Sequence, residues 1–309
     1  MPCVRYFMAI PIADYVKAVY DMLLHPVSSE GHHPSPNRRR FRNEILRYYE
    51  ENPTADTDIL AALDFIRHYG YAVIIPYRFI EEYGWRRLPA GKDKDGFPYV
   101  MLLSGMRLYM PKHLSMRQAK IGVNLILMEQ DRRSPHCYLT ETFNVDENDI
   151  VVDVGSAEGC LSLEVVDRVK HVYLFEAEPE WTEPLKRTFA PWKDKVTVVR
   201  KFVTDHDGSD CIRLDSFFKS EGVTPTFVKM DVEGAEMAVL RGMQALLDAG
   251  APMKIAACTY HLPEAHQEIS AMLQSRGFTC ETSRGVMFSR IGGVRPPYFR
   301  KGLIRAERK

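Results

Sequence analysis

Two acidic segments in the C-terminal half of the chain have the residue types for chemistry, and each begins where an apolar run ends. The first is Val152-Asp153-Val154-Gly155-Ser156-Ala157-Glu158-Gly159, behind the run that starts at Ile150. The second is Lys229-Met230-Asp231-Val232-Glu233-Gly234-Ala235-Glu236, behind Thr226-Phe227-Val228. Glycines between a strand and a helix let backbone and ligand approach closely, and the helix start offers free N–H groups. A dinucleotide fingerprint would read G-x-G-x-x-G. Here position 157 is Ala, and only Gly155 and Gly159 remain. Asp153 and Glu158 would repel a pyrophosphate, whereas they suit a ligand carrying ammonium and sulfonium charge.

A third segment, Phe175-Glu176-Ala177-Glu178-Pro179, closes the next apolar run. An acid there, about 20 residues past the glycine turn, can accept hydrogen bonds from both ribose hydroxyls. Glu176 is the candidate, with Ala177 beside it and Glu178 as a solvated neighbour. A ribose site beside an acidic glycine turn reads as S-adenosylmethionine rather than NAD. Cofactor contacts are expected from Asp153, Gly155, Ser156, Glu158 and Gly159 in the turn, from Glu176 and Ala177, and from Asp231.

Asp231 falls at the carboxyl edge of its strand, where a transferred group should lie. Glu233 and Glu236 also open the next helix, where acids stabilise by a few tenths to about 1 kcal/mol. Cys258-Thr259-Tyr260-His261 ends the following apolar run, next to Asp231 on the same edge. Methyl transfer to an alcohol benefits from a base within hydrogen-bond reach. His261 is the first choice, because the ordinary imidazole pKa of about 6.5 suits neutral pH, and Asp231 is the second. A divalent ion on Asp231 and another carboxylate is an alternative way to lower the hydroxyl pKa. Tyr260 is expected to touch the acceptor, as are His136 and Tyr138 from the stretch upstream. Cys3, Cys137, Cys160, Cys211, Cys258 and Cys280 show no CxxC pair and no Cys/His ligand spacing. They assign no metal site and read as reduced, mostly buried thiols.

These residues need a frame. Short β-branched and aromatic runs at Ile150–Val154, His171–Phe175, Val196–Val199, 226–230 and 253–259 read as strands. Helical stretches follow at 181–189, behind Asp231 through Leu247, and at 264–275. Nearly continuous apolar strands alternating with helices imply an α/β, doubly wound, mostly parallel sheet covered on both faces. The tail breaks the alternation: 278–282, 286–289 and 302–305 read as strands, an antiparallel hairpin closing one edge. Upstream, 11–24, 40–51 and 57–69 have helical spacing. Residues 98–110 read as a hairpin about Ser104-Gly105, and a helix should start behind Ser115 and run to about Gln130. The polar stretch 131–149 contains Pro135. The expected division is a mixed helical and hairpin domain at 1–130 forming the acceptor wall, a linker at 131–149, and a cofactor domain at 150–309.

Together these segments resemble the FkbM family of methyltransferases, over roughly residues 130–305. The resemblance is carried by DVGSAEG, by FEAEP after the next strand, by LDSFF at 214–218, and by KMDVEGAE with an apolar helix ending in Leu246-Leu247. It implies a class I methyltransferase fold, whose seven-stranded sheet has one antiparallel strand. It also implies O-methylation, often of hydroxyls on sugars or secondary metabolites. Many relatives have Asn where Glu158 stands and Pro where Ala177 stands. Residues 1–110 carry no resemblance.

Composition bounds the partners. The chain has 309 residues, which suits two packed units. Lys plus Arg and Asp plus Glu both total 41, so no net field draws nucleic acid or an anionic membrane. The expected partner is a small-molecule or glycan acceptor. No stretch approaches the roughly 18–20 apolar residues of a membrane span. The first apolar run is broken by Pro11 and Asp14 and does not read as a secretory leader, so a cytoplasmic protein is expected. The basic segment 31–40 reads as a solvated charge run. Two other classes compete. A Rossmann-type oxidoreductase is opposed by the missing glycine spacing, and a non-catalytic module that kept the fold is opposed by intact Asp153, Glu176 and Asp231.

Overall fold

A computed structural model describes residues 36–70 and 72–309. The helix expected at 11–24, residues 31–35 of the basic segment and Cys3 lie outside the described residues. The first described helix, α1, is Pro36–Glu51, and α2 is Thr57–Tyr69. Asp56 caps α2 by accepting from the Asp58 and Ile59 amides, and Gly70, at φ 84°, ends it in the left-handed conformation. A small antiparallel sheet follows, made of β1 Ala90–Lys92, β2 Pro98–Met101 and β3 Arg107–Tyr109. The expected hairpin is present with Tyr99 opposite Tyr109; β1 had no signal in the sequence. Helix α3, Met116–Glu129, starts at Ser115 with a full capping box to Gln118, as its spacing predicts.

The main sheet is built from β4 Ile150–Val154, β5 His171–Phe175, β6 Val196–Val199, β9 Phe227–Met230, β10 Met253–Cys258, β11 Thr279–Thr282 and β14 Leu303–Arg308. Their order is β11-β14-β10-β9-β4-β5-β6. Only β14 runs against its neighbours, pairing antiparallel with both β10 and β11. Helices α4 Cys160–Val165 and α5 Pro179–Thr188 link the first strands. After β6 come two short paired strands, β7 Phe202–Val203 and β8 Cys211–Ile212, then α6 Leu214–Glu221. The stretch expected as one helix through Leu247 is two, α7 Glu236–Arg241 and α8 Gln244–Asp248. Asp215 of the LDSFF segment accounts for the break, because its carboxylate accepts the Ala245 and Leu246 amides, both at 3.0 Å, and so starts α8 afresh. Helix α9 is Ala265–Gln274.

Both faces of the sheet are covered, as alternation along the strands requires. Val152, Val154, Val228, Met230 and Ile255 face α6–α9, with Phe218, Val239, Leu247 and Ile269 against them. Val151, Leu174, Phe227 and Ala256 face the other way. Their cluster runs on through Leu161 and Leu185 into Ile45, Phe65, Ile66 and Val123 of the first three helices. One core therefore crosses the boundary expected at residue 130. The tail is also more than an edge hairpin. Between β11 and β14 the chain makes a separate pair, β12 Val286–Phe288 with β13 Phe299–Lys301. This pair docks on the N-terminal part: the Phe288 amide donates to the Ile74 carbonyl at 2.9 Å, and the Gly285 amide to Asp58 at 2.9 Å. Among the described residues no helix is long and apolar enough to cross a membrane. No disulfide joins any two of the five described cysteines, and four are buried.

Candidate active site

The strand order reverses between β4 and β9, and ligands of open α/β sheets bind at such a point, beyond the carboxyl ends of the strands. The two acidic segments meet there. Val154 pairs with Met230, and the Asp231 amide donates to the Val154 carbonyl at 3.1 Å. Gly155 is at φ 69°, and a Cβ there would lie 2.1 Å from the Asp231 carbonyl oxygen. The glycine is needed for that backbone crossing. A Cβ on Gly159 would strike Phe189 and Leu185 of the α5 region, so this glycine serves helix packing. Both were expected at the ligand; in the structure each answers to protein neighbours.

Asp153 also differs from expectation. It lies beneath the turn, 1% exposed, with Oδ2 accepting the Ser162 hydroxyl at 2.7 Å and Oδ1 facing Lys229 Nζ at 2.8 Å. Lys229 in turn donates to the Gly155 carbonyl at 2.7 Å. Burial would lower the lysine pKa, but Asp153 and Asp231 outweigh it and hold the ammonium charged. Asp153 thus acts through Lys229 as a strut for the turn.

The pocket side of the turn belongs to other residues. Glu176 closes β5, and its Oε2 accepts the Ala157 amide and its Oε1 the Glu178 amide, both at 2.8 Å. Burial raises its pKa. Ala157 holds φ 44°, a strained angle for a residue with a Cβ. Ala177 is half-buried beside Glu176. Ser156 Oγ is buried and makes no hydrogen bond. Burial pushes the Glu158 carboxyl up to about 7.

At the other end of the crevice stands Asp231. The Tyr138 hydroxyl donates to its Oδ2 at 2.8 Å, and His136 Nε2 is 3.3 Å from the same oxygen. The linker residues do reach the site, but as buried supports of Asp231. On the other side, Asp231 Oδ1 lies 3.3 Å from His261 Nε2. Glu233 Oε2 is 3.4 Å from the same nitrogen, on a backbone at φ 56°. His261 is 0% exposed, and its Nδ1 meets Glu236 Oε1 at 2.8 Å. That oxygen also accepts the Val232 and Gly234 amides, so buried Glu236 both folds the loop and aims the imidazole. Burial would lower the His261 pKa, but Glu236, Glu233 and Asp231 raise it to about 10. This departs from the expected imidazole, which was to be neutral at neutral pH. Burial would raise the Asp231 pKa, and the His136 contact with the His261 and Lys229 charges holds it well below the carboxylate range. Tyr260 is buried, with its ring 4.1 Å from that of His261 and 5.3 Å from that of His136.

Three supports had no reading in the sequence. Arg300 of β13 donates to the Tyr260 carbonyl at 3.1 Å and to that of His261, fixing the loop past β10. Arg305 of β14 donates to the Tyr138 and Cys137 carbonyls at 3.2 and 2.6 Å, fixing the linker. Glu129 ends α3 close to His136, Asp231 and His261, and burial raises its pKa. Its signal was available: an acid in the last turn of a helix opposes the dipole and needs another reason to be there.

Comparison with curated proteins gives no match. Among solved structures, precorrin 8W decarboxylase of Methanobacterium thermoautotrophicum is 20% identical, covers 53% of this chain and 83% of its own, and has a TM-score of 0.36. Precorrin-6y C5,15-methyltransferase of Geobacter metallireducens is 13% identical, with 71% and 98% covered and a TM-score of 0.39. An rRNA methylase of Streptococcus thermophilus is 15% identical, with 53% and 89% covered and a TM-score of 0.36. Residues 142–280, which hold the glycine turn, Glu176, the Asp231 loop and His261, match the family described as the Methyltransferase FkbM domain.

Proposed function

We propose that the protein is an S-adenosylmethionine-dependent O-methyltransferase acting on a hydroxyl of a sugar, glycan or secondary metabolite. One observation carries the cofactor assignment: the crevice is acidic where a dinucleotide would need cations. Its lysine, Lys229, is buried under the turn and engaged by Asp153 and the Gly155 carbonyl. Glu176, Glu158 and Glu129 gather around it, each a buried carboxyl that feels the Lys229 charge. Such a donor set fits a ribose with a sulfonium and an ammonium group.

Glu176 would hold the ribose hydroxyls on the lone pairs its two backbone bonds leave over. Ser156, Ala157, Glu158 and Ala177 would line the pocket beside it. S-adenosylmethionine supplies an electrophilic methyl group. The residues must keep the acceptor oxygen in line with that carbon at near-attack distance and exclude water. Activating the hydroxyl would fall to Asp231, with Tyr138 and His136 holding its other oxygen and His261, packed on Tyr260, placing its imidazole charge beside it. Transfer of a labelled methyl group from S-adenosylmethionine to a panel of glycans and small alcohols tests the reading. Product that is alkali-stable and has lost a free hydroxyl is expected. Label on nitrogen, or none with any acceptor while the protein binds cofactor, would overturn O-methylation.

A further inference from the structure

We propose that Asp231 Oδ1, Glu233 Oε2 and His261 Nε2 form a binding site for a divalent first-row metal cation at the acceptor end of the crevice. These three atoms lie within 4.8 Å of one another, and the nitrogen is 3.3 and 3.4 Å from the two oxygens. An ion holds nitrogen and oxygen ligands at about 2.0–2.2 Å, so two such ligands at 90–110° stand roughly 3–3.5 Å apart. The spacing is that of ligands around a shared centre.

A second observation is independent of the acidic cluster. His261 is 0% exposed, yet its Nε2 makes no hydrogen bond, and neither does the buried Asp231 Oδ1. Buried polar atoms are nearly always satisfied, and one ion would satisfy both. Each of these two ligands is also held from behind. Glu236 at Nδ1 fixes the imidazole in the way a carboxylate commonly orients a metal-binding histidine, leaving Nε2 turned to the crevice. Tyr138 and His136 take Asp231 Oδ2, which turns Oδ1 to His261. Exposure completes the pattern: the Glu233 side chain is 39% exposed and that of Asp231 18%, so the site is open on one side. His136, Asp231 and Cys258 also cluster, but there Oδ2 already accepts the Tyr138 hydroxyl, and His136 and Cys258 are sealed in the core. Two carboxylates and one imidazole favour Mn²⁺ or Zn²⁺ over Ca²⁺, which takes six to eight oxygens.

The catalytic consequence rests on the methyl-transfer reading; the binding site does not. An ion at this position reaches the acceptor hydroxyl oxygen and lowers its pKa, and His261 then serves as a ligand. The test is titration of the EDTA-treated, desalted full-length protein with Mn²⁺, followed by the spin-resonance signal of free Mn²⁺. S-adenosylhomocysteine affinity is measured calorimetrically on the same samples. Saturable binding of one ion per chain is expected in the wild type. Glu233→Gln, on a partly exposed side chain, should keep its melting temperature and its S-adenosylhomocysteine affinity and weaken Mn²⁺ by about tenfold or more. No saturable Mn²⁺ binding up to millimolar concentration, or Glu233→Gln titrating like the wild type, overturns the site. Wild type that binds Mn²⁺ but no S-adenosylhomocysteine upholds the site and overturns the cofactor reading instead.

Discussion

Glu176→Gln separates ribose recognition from the shape of the turn. Each Glu176 oxygen accepts one backbone amide, from Ala157 and from Glu178, both at 2.8 Å. Each therefore has one lone-pair direction left for a ribose hydroxyl. Glutamine keeps one acceptor and sets an NH₂ against the other backbone N–H. On the protein side, one amide goes unpaired, which costs about 1–3 kcal/mol and lowers the melting temperature by roughly 2–12 °C. On the ligand side, one charge-assisted bond is lost and the other becomes neutral. That is a loss of about 2–4 kcal/mol, roughly 30- to 1000-fold in Kd. Calorimetric titration with S-adenosylhomocysteine measures the second effect and scanning calorimetry the first. Burial raises the Glu176 pKa, and binding needs the carboxylate. Wild-type affinity should then fall, as pH drops, earlier than an ordinary glutamate would give, and that limb should vanish in the variant. A folded Glu176→Gln protein that binds within threefold of the wild type refutes the placement of the ribose.

Three further outcomes follow from the geometry. Lys229→Met leaves Asp153 buried without its cation, on side chains only 5% and 1% exposed; this should cost about 3–5 kcal/mol and roughly 6–20 °C by scanning calorimetry. Adding Asp153→Asn should recover part of the loss, and a single variant with wild-type stability would remove the strut. Glu158 is raised to about 7 in the fold from about 4.3 unfolded, so its contribution is full below the lower value and is lost as pH rises through the higher one. Relative to wild type, Glu158→Gln should gain of order 1–2 kcal/mol between pH 4 and pH 8; an equal difference at both pH values contradicts this. Residues 131–309 alone would bare Val151, Leu174 and Phe227 on one sheet face, so this fragment should bind a hydrophobic dye and lack a cooperative melt, and a sharp melt would show that the sheet needs no cover.

The frame was legible because its signals are local. Ile150–Val154, His171–Phe175 and Val196–Val199 stand as read, since β-branched runs between glycine turns leave few alternatives. Helix α3 begins at its capping box for the same reason. Features set by distant partners were not legible. The break between α7 and α8 depends on Asp215, about 30 residues earlier in the chain. Motif position led to Asp231, Glu176 and His261, which the structure brings to the strand ends around the crevice. It placed Asp153 at the ligand, whereas that side chain is buried on Ser162 and Lys229, and it gave Glu236 a helix-dipole role where the structure makes it the partner of His261. Arg300 and Arg305 act on carbonyls 39 or more residues away, and nothing near them in the chain announces it.

The glycine turn and the Asp231 loop form one body. Their backbones touch at Gly155 and Asp231, Lys229 sits between them and bonds the turn, and the Asp231 amide bonds the end of β4. A shift of either loop by a few tenths of an ångström must move the other, because the contact between them is backbone on backbone. The His261 loop and the linker are tied to the sheet through Arg300 and Arg305, on strands that follow residue 280, and Asp231 is held as well by Tyr138. The two sides of the crevice thus have supports of different origin. The one under the glycine turn lies in β4 and β9. The one under Tyr138 and His261 is drawn from the β13 and β14 strands, whose packing reaches the N-terminal helices.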